Sequence, residues 1–219
     1  MKKDTTKKYA VIAGLLLLIP TLIGLMGLSY TESFYDESVG FLPTIITLID
    51  GLFTVAFSIT VLICKKKATL VVTGLMVVLH IFRLFKGVHG FSTSVFLYIF
   101  ALLVLLWLFM VSSLPKFKKY IGTVKLLWYV PFALFAIESY ASVGEQIVFY
   151  SEIGDAMAIT SVLFVGIISG VVYSVPHLFV GLWLYKDYKN EQMVQQFDDF
   201  SVNAEYLPQS TDNEENCKG

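Results

Sequence analysis

The chain has 219 residues, of which 56% are hydrophobic and 15% are charged, and its formal net charge is −1. Its mean hydropathy is +0.72. A soluble domain of this length has no core large enough to enclose so many apolar side chains, so we expect the bilayer to be the solvent. The near-neutral charge provides no basic surface for nucleic acid, and no nucleic-acid partner is predicted.

Six stretches are apolar and long enough to cross a membrane as helices, since a span needs about 20 residues. They cover residues 9–30, 41–63, 68–85, 93–114, 121–143 and 157–185. The first stretch follows lysines, as the apolar part of a signal peptide does, but it is too long and no A-x-A cleavage site follows it. The sequence therefore predicts an all-α polytopic membrane protein, with a bundle of six transmembrane helices that forms one domain over residues 1–189.

The lysines indicate how the bundle is oriented, because short basic loops stay on the cytoplasmic side of a membrane. Lysines lie before the first span, between the second and third, around the start of the fifth and after the sixth. These groups are Lys2, Lys3, Lys7 and Lys8, then Lys65, Lys66 and Lys67, then Lys116, Lys118, Lys119 and Lys125, and finally Lys186 and Lys189. The opposite loops, TESFYDESVG and GEQIVFYSEIGD, contain no lysine or arginine. Both termini are therefore predicted to be cytoplasmic, with the chain in a cell membrane.

The composition changes at the C-terminal end. Residues 190–219 are rich in acidic, amide and hydroxyl side chains, which cannot bury a core, and they are predicted to form a disordered cytoplasmic tail. The stretch MVQQFDDFSVNAEYLP has apolar residues at the spacing of a short amphipathic helix. Such a helix would dock on a cytoplasmic protein partner or on the membrane, and a plain solvated tail is the alternative.

The sixth predicted span carries small and polar residues at helical spacing. The face consists of Gly166, Gly170, Ser174, His177 and Gly181. Small residues at this spacing let two helices approach closely, so we expect helix packing here. Pro176 removes one backbone donor beside His177 and predicts a kink. The fourth span is apolar all round and is expected at the periphery of the bundle.

Ionisable residues inside a predicted span are costly, at roughly 2.5 to 3.5 kcal/mol each on insertion scales. This chain has Asp50 in the second span, His80 and Arg83 in the third, and Glu138 in the fifth. Counting about 1.5 Å per residue from the helix ends places all four in the outer half of the membrane. Because only CKKK joins the second and third spans, these two helices must be antiparallel neighbours. We therefore expect His80 and Arg83 to neutralise Asp50 and Glu138.

Two interpretations of this cluster are open. In the first, the charges are a structural lock that fixes which helices meet, as in an accessory, sensory or regulatory membrane protein that acts through a partner of its tail. In the second, Asp50, His80, Arg83, Glu138 and His177 line a water-filled cavity in which a carboxylate binds a proton or a cation. That cavity would serve a small transporter or a substrate-binding membrane subunit, whose ligand is a small solute or ion.

Motifs of enzymes do not appear in the sequence. It lacks the HExxH, GxSxG and P-loop spacings. Ser174 stands three residues from His177, but a nucleophile also needs an oxyanion stabiliser and a means of activation. No catalytic residue, metal site or cofactor is predicted, and the sequence favours a protein that is not an enzyme.

Overall fold

The computed structural model describes residues 3–31, 41–85, 92–114 and 125–205. Its α-helices are α1 (Lys3–Thr31), α2 (Phe41–Leu62), α3 (Lys66–Phe85), α4 (Thr93–Ser113), α5 (Val130–Glu152) and α6 (Ala156–Glu205). A short 3-10 helix, Lys125–Tyr129, leads into α5. The described residues include no β-strand, so the prediction of an all-α protein is confirmed.

Within the described part of the chain, four helices are long and apolar enough to cross a membrane: α3, α4, α5 with the 3-10 helix before it, and α6. The outward faces of these helices carry large apolar side chains. Val78 on α3 and Phe164 on α6, for example, are 64% and 69% exposed. Soluble monomers rarely expose apolar surface over such an extent, whereas a lipid-facing surface requires it.

The six helices form a closed ring. Each helix packs against the next one along the chain, from α1 to α6, and α6 packs back against α1. Neighbouring helices run antiparallel, as expected where short connections join them. The ring therefore has two ends, and alternate helices begin at each of them.

Polar contacts show which helix termini lie together at one end. Lys66, at the start of α3, forms an ion pair with Asp187 of α6. Its Nζ also donates to the carbonyl oxygen of Ser112, near the end of α4, at 3.5 Å. Asn190 Nδ2 of α6 donates to Thr6 Oγ1, near the start of α1, at 3.0 Å. This end of the ring carries the lysines of α1, of α6 and of the turn between α2 and α3. We call it the lysine end, and we call the other end the opposite end.

The packed core fills most of the lysine half of the ring. Phe57, Phe109 and Trp183 pack edge to face, with ring centroids 6.2 Å and 6.0 Å apart for the two successive pairs. Helix α4 contributes nine buried residues to the interior. The expectation that this helix is peripheral is wrong. Because the interior of the lysine half is itself apolar, the absence of polar residues on α4 does not distinguish a core position from a lipid-facing one.

The predicted boundaries of the fifth span are displaced along the chain. The prediction was 121–143, whereas α5 runs from Val130 to Glu152. Pro131 lies in the first helical turn, where its missing N–H would have no helical partner anyway. Gly154 has φ of +73° and ends the helix in the left-handed conformation that favours glycine. Most of the predicted loop GEQIVFYSEIGD is therefore helix, because its first glycine, Gly144, continues the helix rather than ending it.

Helix α6 extends well beyond the predicted span 157–185. Its 50 residues correspond to about 75 Å, more than twice the hydrocarbon thickness of about 30 Å. Residues 190–205 are helical where disorder was predicted. The ion pair of Lys66 and the hydrogen bond of Asn190 hold the start of this extension against α3 and α1, and no proline or glycine interrupts it.

Some predictions fall on residues outside the described part of the chain. These are the loop 32–40, residues 115–124, which include Lys116, Lys118 and Lys119 and the start of the predicted fifth span, and the tail after residue 205.

The small residues of α6 lie where α5 comes close. A Cβ added at Gly166 would overlap Val143 Cγ2, and one at Gly170 would meet the ring of Tyr140 at 3.4 Å. Ser174 is buried, and its hydroxyl donates to the carbonyl oxygen of Gly170 at 2.6 Å. This hydrogen bond satisfies the hydroxyl within its own helix, so Ser174 packs as a small residue.

Gly181 provides a test of this packing. An added Cβ would overlap the carbonyl oxygen of Trp128, which is backbone and cannot rotate away. We expect Gly181→Ala to lower the free energy of unfolding of the purified protein by about 1 to 3 kcal/mol, as overpacking does. Gly144→Ala is the matched control, because its Cβ would meet nothing within 4 Å, and it should be neutral or slightly stabilising. Equal stability of the two variants would contradict the close approach of α6 to the 3-10 helix.

Candidate functional site

A buried ion pair joins α2 to α3. Arg83 Nη1 donates to Asp50 Oδ2 at 2.8 Å, and the Arg83 side chain is only 9% exposed. His80 lies beside the pair, with Nε2 3.6 Å from Asp50 Oδ1. The turn between the helices sets this register: Asp50 is 12 residues before Leu62 and His80 is 14 residues after Lys66. Both residues are therefore about 20 Å from the turn along their helices.

The imidazole of His80 is oriented by its own helix. Its Nδ1 donates to the carbonyl oxygen of Met76 at 2.9 Å, and because a carbonyl only accepts, Nδ1 carries the hydrogen. The nitrogen that faces Asp50 is therefore Nε2. Oδ1 of Asp50 is buried and has no hydrogen-bond partner within the described residues. A proton on Nε2 would supply a donor on that side of the carboxylate.

Glu138 is not neutralised as the sequence predicted. The structure directs both Arg83 and His80 to Asp50. Among the described residues, no lysine, arginine or histidine nitrogen lies within 4.0 Å of the Glu138 carboxylate. The reason is the order of helices around the ring, in which α4 lies between α3 and α5. Depth along a helix can be counted from the sequence, whereas this order cannot.

A cavity of about 640 Å³ lies inside the ring, and all six helices line it. Its polar lining consists of Thr21, Thr54, Tyr98, Glu138, Ser139, Ser142, Gln146, Ser161, Tyr173 and His177. Residues that also belong to the packed core line its floor: Phe57, Met76, Leu102, Leu105 and Phe135. The cavity thus begins where the core ends, near the middle of the ring, and extends along α5 and α6 towards the opposite end.

Glu138 is the one acidic residue among the described residues that line the cavity, and no described lysine or arginine lines it. The carboxylate has one weak contact, from Ser139 Oγ to Oε2 at 3.5 Å. The same hydroxyl donates to the carbonyl oxygen of Phe135 at 2.9 Å, and one hydroxyl has only one hydrogen to share. Within the described part of the chain, this carboxylate therefore lacks a strong partner and remains available to a ligand.

His177 lines the same cavity from α6. Its Nδ1 donates to the carbonyl oxygen of Tyr173 at 2.9 Å, which leaves Nε2 as the other ring nitrogen. The ring stacks on Phe135, with centroids 3.7 Å apart. Pro176 has no N–H, so the carbonyl of Val172 lacks its usual helical donor, and both residues line the cavity.

Helix α1, the neighbour of α6 in the ring, repeats this arrangement. Pro20 lies inside the helix and removes the helical donor of the Leu16 carbonyl. Both residues line the cavity, together with Thr21, whose hydroxyl donates to the Leu17 carbonyl at 2.7 Å. Pro20 and Pro176 each lie inside their helix, and the two helices, α1 and α6, are neighbours in the ring. Each therefore brings a proline-interrupted segment to the cavity.

A row of four rings connects the ion pair to the cavity. The ring centroids of His80 and Tyr98 are 4.7 Å apart, those of Tyr98 and Phe135 5.7 Å, and those of Phe135 and His177 3.7 Å. One ring comes from each of α3, α4, α5 and α6. Three of them line the cavity, whereas His80 does not.

The five predicted site residues therefore divide into two groups. Glu138 and His177 line the cavity, and Asp50, His80 and Arg83 form an ion-pair cluster that does not line it. Tyr98 lies between the two groups, because its ring contacts both His80 and Phe135.

Sequence reasoning missed most of the polar lining of α5. Ser139, Ser142 and Gln146 share the face of Glu138 at spacings of three and four residues, so a helical projection of FALFAIESYASVGEQ would have shown this face. Because the fifth span was placed too early in the sequence, part of this polar face was assigned to a loop.

Glu145 was also missed, and it fastens α5 to α4 at the opposite end. Its Oε1 accepts from the backbone N–H of Ser94 at 3.1 Å, and its Oε2 accepts from the Ser94 hydroxyl at 2.7 Å. Ser92 is the N-cap of α4. A carboxylate at a helix N-terminus is favoured by the unpaired N–H groups and the helix dipole. Its capping role gives Glu145 partners that Glu138 lacks.

Comparison with protein-family models, with curated proteins and with solved structures gives no match to this chain. The fold and the surface define the class: a helical protein with four helices that can cross a membrane, compatible with a membrane protein. A more specific function has to be argued from the site itself.

The two carboxylates should respond differently to neutralisation. We expect Asp50→Asn and Arg83→Gln each to lower the free energy of unfolding by about 3 to 5 kcal/mol, since each removes one member of the ion pair between α2 and α3. The double variant should lose less stability than the sum of the two single losses, because both single variants break the same ion pair. Glu138→Gln should be as stable as the wild type, because its carboxylate has no described cation to lose.

Unfolding of the purified variants in detergent, followed by circular dichroism, measures these differences. A loss of stability in Glu138→Gln as large as that in Asp50→Asn would show that Glu138 is part of the structural lock. Additive losses in Asp50→Asn and Arg83→Gln would contradict the ion pair.

Proposed function

We propose that this chain is a small membrane transporter, or the substrate-binding membrane subunit of one, which receives its ligand in the cavity inside the ring. In this proposal α1 and α2 also cross the membrane, giving six spans in a cell membrane with both termini in the cytoplasm. Their lengths of 29 and 22 residues are sufficient for a hydrocarbon layer of about 30 Å. The observation that carries the proposal is the available carboxylate of Glu138 in a cavity lined by all six helices.

The position of the cavity supports this role. The packed core closes the lysine half, and the cavity extends from the middle towards the opposite end. A carrier that has its site open to one side and is closed on the other has this asymmetry. With the lysine end in the cytoplasm, the form described here is the outward-facing one.

The contacts at the lysine end fit a gate that opens. Lys66 pairs with Asp187 and Glu191, with Nζ 3.3 Å from Glu191 Oε1, and Lys186 Nζ donates to Tyr9 Oη at 2.8 Å. Ion pairs of this kind in contact with water contribute about 0 to 1 kcal/mol each, so a few of them can break at small cost. Transport would require α6 to separate here from α1 and α3.

A second function is favoured by the extension of α6. Its helix continues through residues 190–205, beyond the length that a membrane span needs. A helix that projects from the lysine end offers a surface for a cytoplasmic protein partner, as an accessory or regulatory membrane protein would need. In that case the cavity would have no access from the lysine end in any state.

Thiol labelling distinguishes these functions. Ser142→Cys, in a chain whose Cys64 and Cys217 are replaced by serine, places a thiol in the cavity. We expect a membrane-impermeant maleimide to label it in intact cells, and also in inside-out vesicles if the cavity alternates between the two sides. Ile137→Cys on the same helix is the control, because that side chain is 54% exposed on the lipid-facing surface and a thiol reacts through its hydrated thiolate.

Labelling of Ser142→Cys from the outer side alone would favour the accessory function over the transporter. If Ser142→Cys is as unreactive as Ile137→Cys from both sides, the cavity is not open to water and the proposed transport role fails.

A further inference from the structure

We infer that the cavity selects a monovalent organic cation with an apolar body. This inference rests on the proposed function, because it names the ligand class of the same cavity.

The charge of the lining determines the sign of the ligand's charge. Glu138 carries the one carboxylate that the described lining residues contribute, and no described lysine or arginine lines the cavity. Arg83 is bonded to Asp50, which does not line the cavity, so the ion pair adds a balanced charge behind the wall. An anion would meet a carboxylate with no cation beside it, whereas a cation would supply the missing partner.

The magnitude of the charge follows from the number of carboxylates. A divalent metal needs several oxygen or nitrogen ligands at short distance. Among the described residues, no group of three or more His, Cys, Asp or Glu side chains could hold a metal ion. One carboxylate balances one positive charge.

The size of the cavity indicates an organic ion rather than a bare inorganic one. Its volume of about 640 Å³ falls within the range of pockets that enclose drug-sized ligands. A bare monovalent ion would leave most of this space to water. An organic cation fills it and buries its own apolar surface against the floor.

The lining groups suit the two parts of such a ligand. Phe135 and Glu138 are three residues apart on α5 and both line the cavity, with the Phe135 ring stacked on His177. Tyr98 and Tyr173 add aromatic rings from α4 and α6. Aromatic faces attract organic cations, most strongly where water is excluded. Leu102 and the other core residues of the floor receive the apolar body.

Isothermal titration calorimetry of the full chain in lipid nanodiscs tests the inference with three probes of similar size. These are benzyltriethylammonium, which is permanently cationic, N,N-diethylbenzamide, which is neutral, and benzenesulfonate, which is anionic. We expect the cation to bind, and the other two probes to bind at least about tenfold more weakly.

The carboxylate is tested with a matched pair of variants on α5. Glu138→Gln should weaken binding of the cation about tenfold or more, and it keeps the shape of the side chain. Glu152→Gln should bind it as the wild type does, because Glu152 is exposed at the end of α5 and does not line the cavity.

Two results would overturn the inference and leave the cavity as a binding site: equal affinity for the neutral probe and the cation, or unchanged affinity of Glu138→Gln for the cation. Absence of binding by all three probes would also overturn it. The labelling of Ser142→Cys then tests the proposed function separately, because this experiment uses no ligand.

Discussion

A carboxylate enclosed among apolar helices has to be paired or hydrated, and the rest of this structure is organised around how two carboxylates meet that condition. Asp50 is paired, with Arg83 Nη1 at 2.8 Å and His80 Nε2 at 3.6 Å. Glu138 has no such partner among the described residues and lies at a cavity instead. The first arrangement fixes α2 against α3. The second places a chemically available group at the centre of the ring.

The half of the ring at the lysine end holds the packed core, and the cavity extends towards the opposite end. In the lysine half, aromatic rings of α2, α4 and α6 interlock, and Gly181 lets α6 approach the 3-10 helix before α5. Towards the opposite end lies the cavity, and Glu145 holds α4 to α5 through its hydrogen bonds with Ser94. The cavity therefore lies between the packed core of the lysine half and this contact of α4 with α5.

Features that depend on local sequence were predictable. Hydropathy located helices α1 to α4 closely, and the short turn between α2 and α3 implied that Asp50 and His80 would meet. The fifth span was displaced because Gly144 continues a helix that Gly154 ends, and nothing in a hydropathy pattern distinguishes the two glycines. The order of helices around the ring was not predictable either. It depends on packing between segments distant in sequence, and it places α4 between α3 and α5, so that Arg83 and His80 do not reach Glu138.

In the proposed function, Asp50 is occupied by its ion pair, and Glu138 is the carboxylate that receives the ligand. Infrared difference spectroscopy of the protein with and without benzyltriethylammonium tests it directly, because it reports which carboxyl group changes its environment. The predicted result is a ligand-induced carboxyl band that disappears in Glu138→Gln and persists when Asp50→Asn and Arg83→Gln are combined. A band that persists in Glu138→Gln, or that disappears with the Asp50 pair, would contradict this division of roles.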